Sequence, residues 1–239
     1  MRKNLIKFLT PLFPDRLRVV LRKLHAQKLV SLFIDKSQGE LLFQYNWVKI
    51  FSKNKAKVED YWYNYFQLNA IKRICKITAK SKILDVGCGI SSVLHFIPGE
   101  KYGIDPLAND YRKIYRYPQD MRISEGNGEE IQFPNSFFDV VFCTNVLDHT
   151  DNPPKAVSEI RRVLKKNGYL VLVVHIFPNS IKRDPAHPHT FTLQSVTRLI
   201  RGFRVVNKRI VPALGFYDYI MGNKPTTECE ELLLILKRK

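Results

Sequence analysis

Apolar residues fall in short runs along most of this chain, and the runs alternate with amphipathic stretches. From residue 82 onward the runs at 82–86, 102–104, 121–124, 139–144, 169–174, 203–211 and 232–237 are rich in aliphatic and aromatic residues and too short for helices, so they predict strands. Between them, 92–96, 111–115, 154–164 and 193–200 carry helical spacing. Pro153-Pro154 suits a helix start, Asn167-Gly168 a helix stop, and Thr192 an N-cap. Strand-helix-strand alternation predicts an α/β fold, a mostly parallel sheet with helices on both faces.

The first third reads differently. Within residues 1–35, Leu5, Ile6 and Leu9 precede a break at Pro14, and Leu17, Val20, Leu21 and Leu24 trace one face of a second helix capped by Asp15. Arg16, Arg18, Arg22 and Lys23 lie largely off that face. A basic face beside an apolar stripe suits an anionic membrane surface, and it equally suits packing on the chain's own domain. Residues 36–80 are aromatic-rich; 52–57 reads as an exposed loop and 58–77 as one helix leading into the first core strand. These aromatics are expected to pack a helical N-terminal extension, 1–60, onto a domain spanning 61–239, with some free to line a substrate mouth.

Charge sharpens this division. The formal net charge is +17, and residues 1–80 hold 17 basic against 5 acidic residues. Such a surface attracts polyanions: a nucleic acid, an anionic lipid surface or a phosphorylated substrate. General solubility accounts for it as well. The four cysteines, Cys75, Cys88, Cys143 and Cys229, show no metal-ligand spacing and read as reduced thiols of a cytoplasmic protein. No apolar run approaches the roughly 18 residues of a membrane span, and the mixed basic and apolar start lacks the order of a cleaved signal.

The candidate chemistry sits at the ends of the predicted strands, where open parallel sheets bind ligands. Asp85-Val-Gly87-Cys-Gly89 follows the first, a tight loop whose glycines permit close approach of the backbone to a ligand. Asp105 ends the second, 18 positions after Gly87, near the roughly 20 expected of an acid that accepts hydrogen bonds from ribose. Gly126-Asn127-Gly128 follows the third, and Thr144-Asn145-Val-Leu-Asp148-His149 the fourth.

Together with Phe133-Pro-Asn-Ser-Phe-Phe-Asp-Val-Val141 and Glu159-Ile-Arg-Arg-Val-Leu-Lys-Lys-Asn-Gly168, these motifs resemble the class I S-adenosylmethionine-dependent methyltransferases, in the branch that includes the small-molecule enzymes of quinone biosynthesis. The resemblance covers residues 80–175 strongly, the C-terminus loosely and residues 1–60 not at all. It implies a Rossmann-like seven-stranded sheet whose last strand runs antiparallel. It implies S-adenosyl-L-methionine as cofactor, its amino-acid end cradled by bare amides of the Gly87–Gly89 loop with Asp85 close by. Asp105 would hold the ribose, and Asn127, with Gly128, stands where the family often has an acid facing adenine. Ser91 replaces the family's third glycine, its hydroxyl near the cofactor carboxylate, and Asn145 completes the cofactor set. A nicotinamide dinucleotide site is the rival reading; Ser92 stands where that fingerprint requires glycine, and it leaves Asp85 unexplained.

A sulfonium methyl is already activated, so the protein must chiefly position a nucleophile, with a base where the acceptor is a hydroxyl. His149 after the fourth strand, and His187 and His189 in the loop after the fifth, are the candidate catalytic bases, with His175 also placed to face the methyl; His25 and His95 read as structural or exposed. Asp184, His187 and His189 are weak grounds for a metal, and none is expected. The expected acceptor is small or lipid- or nucleotide-linked, for instance a sugar hydroxyl in surface-glycan biosynthesis, met in the cytoplasm or at the inner face of the membrane through residues 1–35. An RNA methyltransferase and a non-catalytic cofactor-binding protein are the alternatives.

Overall fold

The structure, a computed structural model, describes residues 36–179, 187–225 and 228–239. The predicted helices within 1–35, His25 and Asp184 lie outside them. The seven strands are β1 (Lys82–Val86), β2 (Glu100–Asp105), β3 (Met121–Glu125), β4 (Phe138–Thr144), β5 (Leu164–Ile176), β6 (Phe203–Pro212) and β7 (Glu230–Arg238). They form one sheet in the order β3-β2-β1-β4-β5-β7-β6. β1 pairs in parallel with β2 and β4, and β5 in parallel with β4, whereas β7 runs antiparallel between β5 and β6. The sheet is therefore mostly parallel with an antiparallel last strand, and its order reverses between β1 and β4, the crevice where such sheets bind ligands.

Two-residue periodicity divides the core into two layers. Leu84, Val86, Val141 and Cys143 face Ala156, Val157, Ile160 and Val163 of α4 (Pro153–Val163) and Val196 of α5 (Leu193–Leu199). Ile83, Val140, Phe142, Val171 and Val173 face the other way, onto Trp47, Phe51 and Val58 of α1 (Lys36–Asp60) and Leu68 and Ile71 of α2 (Leu68–Ile74). Each fully buried aliphatic side chain of this kind contributes about 1.5–3 kcal/mol. α4 begins where Pro153 needs no N–H partner and the Asn152 side chain accepts from Lys155 N; α5 begins on Thr192 with a reciprocal Ser195 contact.

Four local expectations are corrected. Residues 52–57 are helical, not a loop: Phe51 and Val58 are both buried seven residues apart, and the lysines between them form the solvated face of α1, which kinks at Asn54. The helix expected over 58–77 breaks into a π-helical turn, Tyr61–Tyr65, and α2, separated by Gln67 in the left-handed region (φ 55°). The wider turn buries two consecutive aromatics, Tyr61 and Trp62. The helix expected at 111–115 lies earlier, as the single turn α3 (Ala108–Tyr111). The stop at Asn167-Gly168 comes late: α4 ends at Val163, and Asn167 (φ 66°) serves the bulge where the β4–β5 register jumps from Phe138↔Leu164 to Val140↔Tyr169.

The family motifs outside the strand ends are structural. Arg162 pairs with Glu159 at 2.7 Å and donates to the carbonyls of Phe133 (2.8 Å) and Ile131 (2.6 Å), tying α4 to the segment before β4. Phe133, Phe137 and Phe138 form an edge-to-face cluster with Tyr102.

Candidate active site

The carboxyl end of β1 carries Asp85 into a loop held on all sides. Gly87 and Cys88 both donate to the Ile104 carbonyl, at 2.8 and 3.1 Å. Gly89 N donates to Asp105 Oδ2 (3.0 Å) and Ile90 N to Gln44 Oε1 (3.1 Å), while the Tyr117 hydroxyl donates to the Gly89 carbonyl (2.7 Å). The amides of residues 87–90 are thus satisfied by the protein itself. The expectation that bare amides face the ligand is corrected: the glycines matter here for their left-handed conformation (φ 68° and 50°) and for their missing side chains, which let the loop close.

Two acids sit beneath this loop. Asp85, 5% exposed, accepts from the Ser92 hydroxyl at 2.6 Å. Burial pushes its pKa up to about 7, against the opposing effect of the Ser92 hydrogen bond. Asp105 accepts from Leu107 N at 2.9 Å as well as from Gly89 N, and burial raises it too, with both backbone donors working against the shift. Each of its oxygens retains a second lone pair, so it can shape the loop and accept from a ligand hydroxyl together.

These groups line one cavity of about 650 Å³, within the range of small-molecule sites. Asp85, Gly87, Gly89, Ser91, Asp105, Asn127, Gly128, Asn145 and His149 all contribute to its wall. The Asn127 side chain accepts from Glu129 N (3.0 Å), a local turn that fixes its position. Asn145 lies in the left-handed region (φ 54°), the kind of sparsely populated backbone that gathers at functional sites. The rest of the wall is aromatic: Trp47 from α1, Tyr61, Trp62 and Phe66 at the π turn, and Phe216 of α6 (Phe216–Met221). Phe216 packs on Trp47 at 4.1 Å and on Tyr61 at 5.0 Å between ring centroids. The segment between β6 and β7 is held there by Tyr61 and Tyr65, whose hydroxyls donate to the carbonyls of Leu214 and Pro212.

The candidate bases separate. His149 lies in the cavity wall with Asp148 Oδ1 4.0 Å from its Nε2. His187 does not line the cavity but stands against His149, ring centroids 4.4 Å apart. His189 turns away to the Asp151 carbonyl and lines a groove between α4 and α5. His175 faces buried Glu231 at 3.6 Å, outside the cavity. Burial lowers the pKa of His95, whose Nε2 meets the Ile90 carbonyl at 3.0 Å, a structural role.

Residues 84–172 match the family model described as "Methyltransferase domain". A relative from Bacillus subtilis, the uncharacterized methyltransferase YcgJ, is 29% identical over 139 residues, covering 50% of this chain and 55% of its own. The tRNA U34 carboxymethyltransferase of Campylobacter jejuni is 23% identical over 220 residues, covering 82% of this chain and 72% of its own. The chain spans about half the length of the first curated relatives it matches. Among solved structures, YcgJ superposes with a TM-score of 0.54 at 18% identity (74% of this chain, 99% of that one), and the [4+2]-cyclase SpnF with 0.57 at 17% (71% and 78%). These structural likenesses concern the fold. Residues 84–172 carry a methyltransferase domain of the S-adenosylmethionine-dependent kind, for which S-adenosylmethionine is the cofactor.

The residues present fit this cofactor. Gly87 and Gly89 line the cavity, Asp105 has acceptor capacity left, and two residues of the wall carry buried oxygens, Thr144 Oγ1 and Asn145 Oδ1, without a hydrogen-bond partner among the described residues. Sequence reasoning missed Ser92, which drew notice only as an absent glycine, and Gln44 and Phe216, which lie far from any motif. Trp47, Tyr61, Trp62 and Phe66 are among the aromatics of residues 36–80 left free to line a substrate mouth, and they do line the cavity. Gln44→Ala should leave Ile90 N buried and unpaired, costing about 1–3 kcal/mol. The expected result is a lower urea midpoint and a loss of roughly tenfold in S-adenosylhomocysteine affinity by calorimetry.

Proposed function

We propose that this chain transfers the methyl group of S-adenosylmethionine to a hydroxyl oxygen of a small or lipid-linked acceptor, with a sugar hydroxyl of a surface-glycan intermediate as the acceptor class we favour. The observation that carries this reading is that one cavity unites the glycine loop and Asp105 with an aromatic wall and an imidazole, His149. Bound S-adenosylmethionine supplies an activated sulfonium methyl; the remaining work is orientation and proton removal. Trp47, Tyr61, Trp62 and Phe216 offer flat apolar faces suited to the C–H face of a sugar or to a planar ring, and they exclude water. His149 takes the acceptor proton as the oxygen attacks, with Asp148 Oδ1 4.0 Å from its Nε2. Helices α1 and α6 act as the acceptor side of the site. No helix among the described residues is long and apolar enough to cross a membrane.

The relative from Campylobacter jejuni, named for tRNA, and the surplus of basic residues over 1–80 favour RNA as a second acceptor class. Incubation with radiolabelled methyl donor and a lysate fractionated into lipid, glycan, RNA and protein decides between them. Label in the glycan or lipid fraction is the expected outcome; label confined to RNA rejects the favoured acceptor, and no label in any fraction rejects the transfer itself. On the labelled acceptor, His149→Ala should lower turnover by about 10²–10⁴-fold with S-adenosylhomocysteine affinity within a few-fold of wild type. Unchanged turnover would remove His149 from the proton-transfer role.

A further inference from the structure

Parallel strands β4 and β5 are adjacent, so the segments that leave their carboxyl ends meet although 38 positions separate His149 from His187. That meeting assembles a group no single stretch of sequence contains. A ligand atom from each of Asp148, His149 and His187 lies within 4.8 Å of the other two. Asp148 is buried at 4% exposure, and His149 belongs to the wall of the cavity described above.

We propose that Asp148, His149 and His187 form a binding site for one divalent transition-metal ion in the wall of the cavity. Two imidazoles and one carboxylate are a donor set suited to first-row transition ions rather than to magnesium or calcium, which prefer oxygen alone. A tetrahedral ion about 2.0–2.2 Å from each donor holds its ligand atoms about 3.3–3.6 Å apart, so the cluster closes around it when facing side chains each shift by under about 1 Å. From the sequence, Asp184, His187 and His189 are weak grounds for a metal and none is expected; the fold instead brings His187 to Asp148 and His149, while the His189 ring meets the Asp151 carbonyl.

Three protein ligands leave coordination positions open on the ion. Resting on the proposed methyl transfer, the open positions suit an acceptor with two adjacent oxygens, such as a vicinal diol, reached through the cavity that His149 lines. A hydroxyl bound there loses its proton to solvent more readily, as metal-bound water does. The imidazole lone pair of His149 is then engaged by the ion, so the metal-free and the metal-loaded site are two states of one group of residues. Without metal the ring takes the proton; with metal the ion lowers the acceptor's pKa instead.

The test uses the full chain stripped with a chelator and dialysed against cobalt(II) or zinc(II) chloride. One ion per chain is expected, with ligand-field absorption in the visible when cobalt is bound. His187→Ala should weaken binding at least about 100-fold, since loss of even the outer partners of metal ligands costs about 10–100-fold. His189→Ala should bind as wild type does. Binding well below one ion per chain in the wild-type protein, or equal binding by His187→Ala, overturns the site; the second result marks the metal as adventitious. His187 is outside the cavity wall, so its variant should keep its affinity for S-adenosylhomocysteine, which also reports on folding where buried Asp148 would not tolerate replacement. Metal binding without S-adenosylhomocysteine binding in the wild type would sink the methyl-transfer reading and leave the metal site standing; the reverse would sink only the metal site.

Discussion

Gly87→Ala is expected to weaken S-adenosylhomocysteine binding at least tenfold and to destabilise the protein by about 2–5 kcal/mol. Gly87 has φ +68°, and an added Cβ would lie 2.4 Å from Cγ2 and 2.9 Å from Cγ1 of Val146. The backbone strain of an L-residue in the left-handed region accounts for about 1–2 kcal/mol. The clash accounts for about 1–3 kcal/mol more, because the branched Val146 side chain has no flexible end to swing aside. Relief by loop rotation would break the 2.8 Å bond from Gly87 N to the Ile104 carbonyl. Relief by moving Val146 would shift the segment that carries Asp148 and His149. Either route deforms the cavity. Gly222→Ala is the control: its φ is also +68°, but nothing lies within 4 Å of the added Cβ, so it carries strain without clash. Calorimetric titration and chemical denaturation read both quantities. If Gly87→Ala binds as wild type does and is no less stable than Gly222→Ala, the loop is not packed as described.

The second large effect concerns pH. Asp85 has an unfolded pKa of about 3.9 and a folded pKa pushed up to about 7 by burial. Between these values the native protein holds a proton that the unfolded chain has released. The contribution of this group to stability is therefore complete below about pH 4 and is lost as pH rises to about 7, at up to roughly 1.4 kcal/mol per pH unit. Asp85→Asn has no proton to lose. Its unfolding free energy, measured from pH 5 to pH 8 in urea, should fall less steeply than that of wild type, by about 1–3 kcal/mol over the interval. The amide can still accept from Ser92, which bonds Asp85 at 2.6 Å. On the proposed placement of the cofactor's ammonium group beside Asp85, the carboxylate form is favoured, so binding of S-adenosylhomocysteine near pH 6 should expel protons from wild type and fewer from Asp85→Asn. Calorimetry in buffers of different ionisation enthalpy counts them. Parallel stability slopes in the two proteins would show that Asp85 is ionised in the folded apo state.

Much of this protein was legible before its fold. The strands announced themselves as aliphatic runs because a sheet buried on both faces admits little else. The strand-end residues Asp85, Asp105, Asn127, Asn145 and His149 could be gathered into one site because parallel strands bring their carboxyl ends to one edge. The errors lay where several local choices compete. Lysines at 53, 55 and 57 looked like a loop because charge signals solvent, and solvent is available to one face of a helix as well. The aromatic run 61–66 fits an ordinary helix locally; the π turn buries the consecutive rings Tyr61 and Trp62 together, the first against Phe216 of α6 and the second against Phe66. The loop amides looked free because nothing local bonds them, and their partners, Ile104, Asp105 and Gln44, come from elsewhere in the chain.

Sequence alone determined the class of fold, the end of the sheet where the cavity opens, and the glycines and acids that line it, since each follows from period, spacing and residue chemistry over a few positions. Tertiary structure decided which histidine reaches the cavity, that Gln44 and Ser92 hold the loop and its acid, and that Asp148, His149 and His187 converge. Those facts depend on distances between segments remote in the chain, which packing fixes and local pattern does not encode.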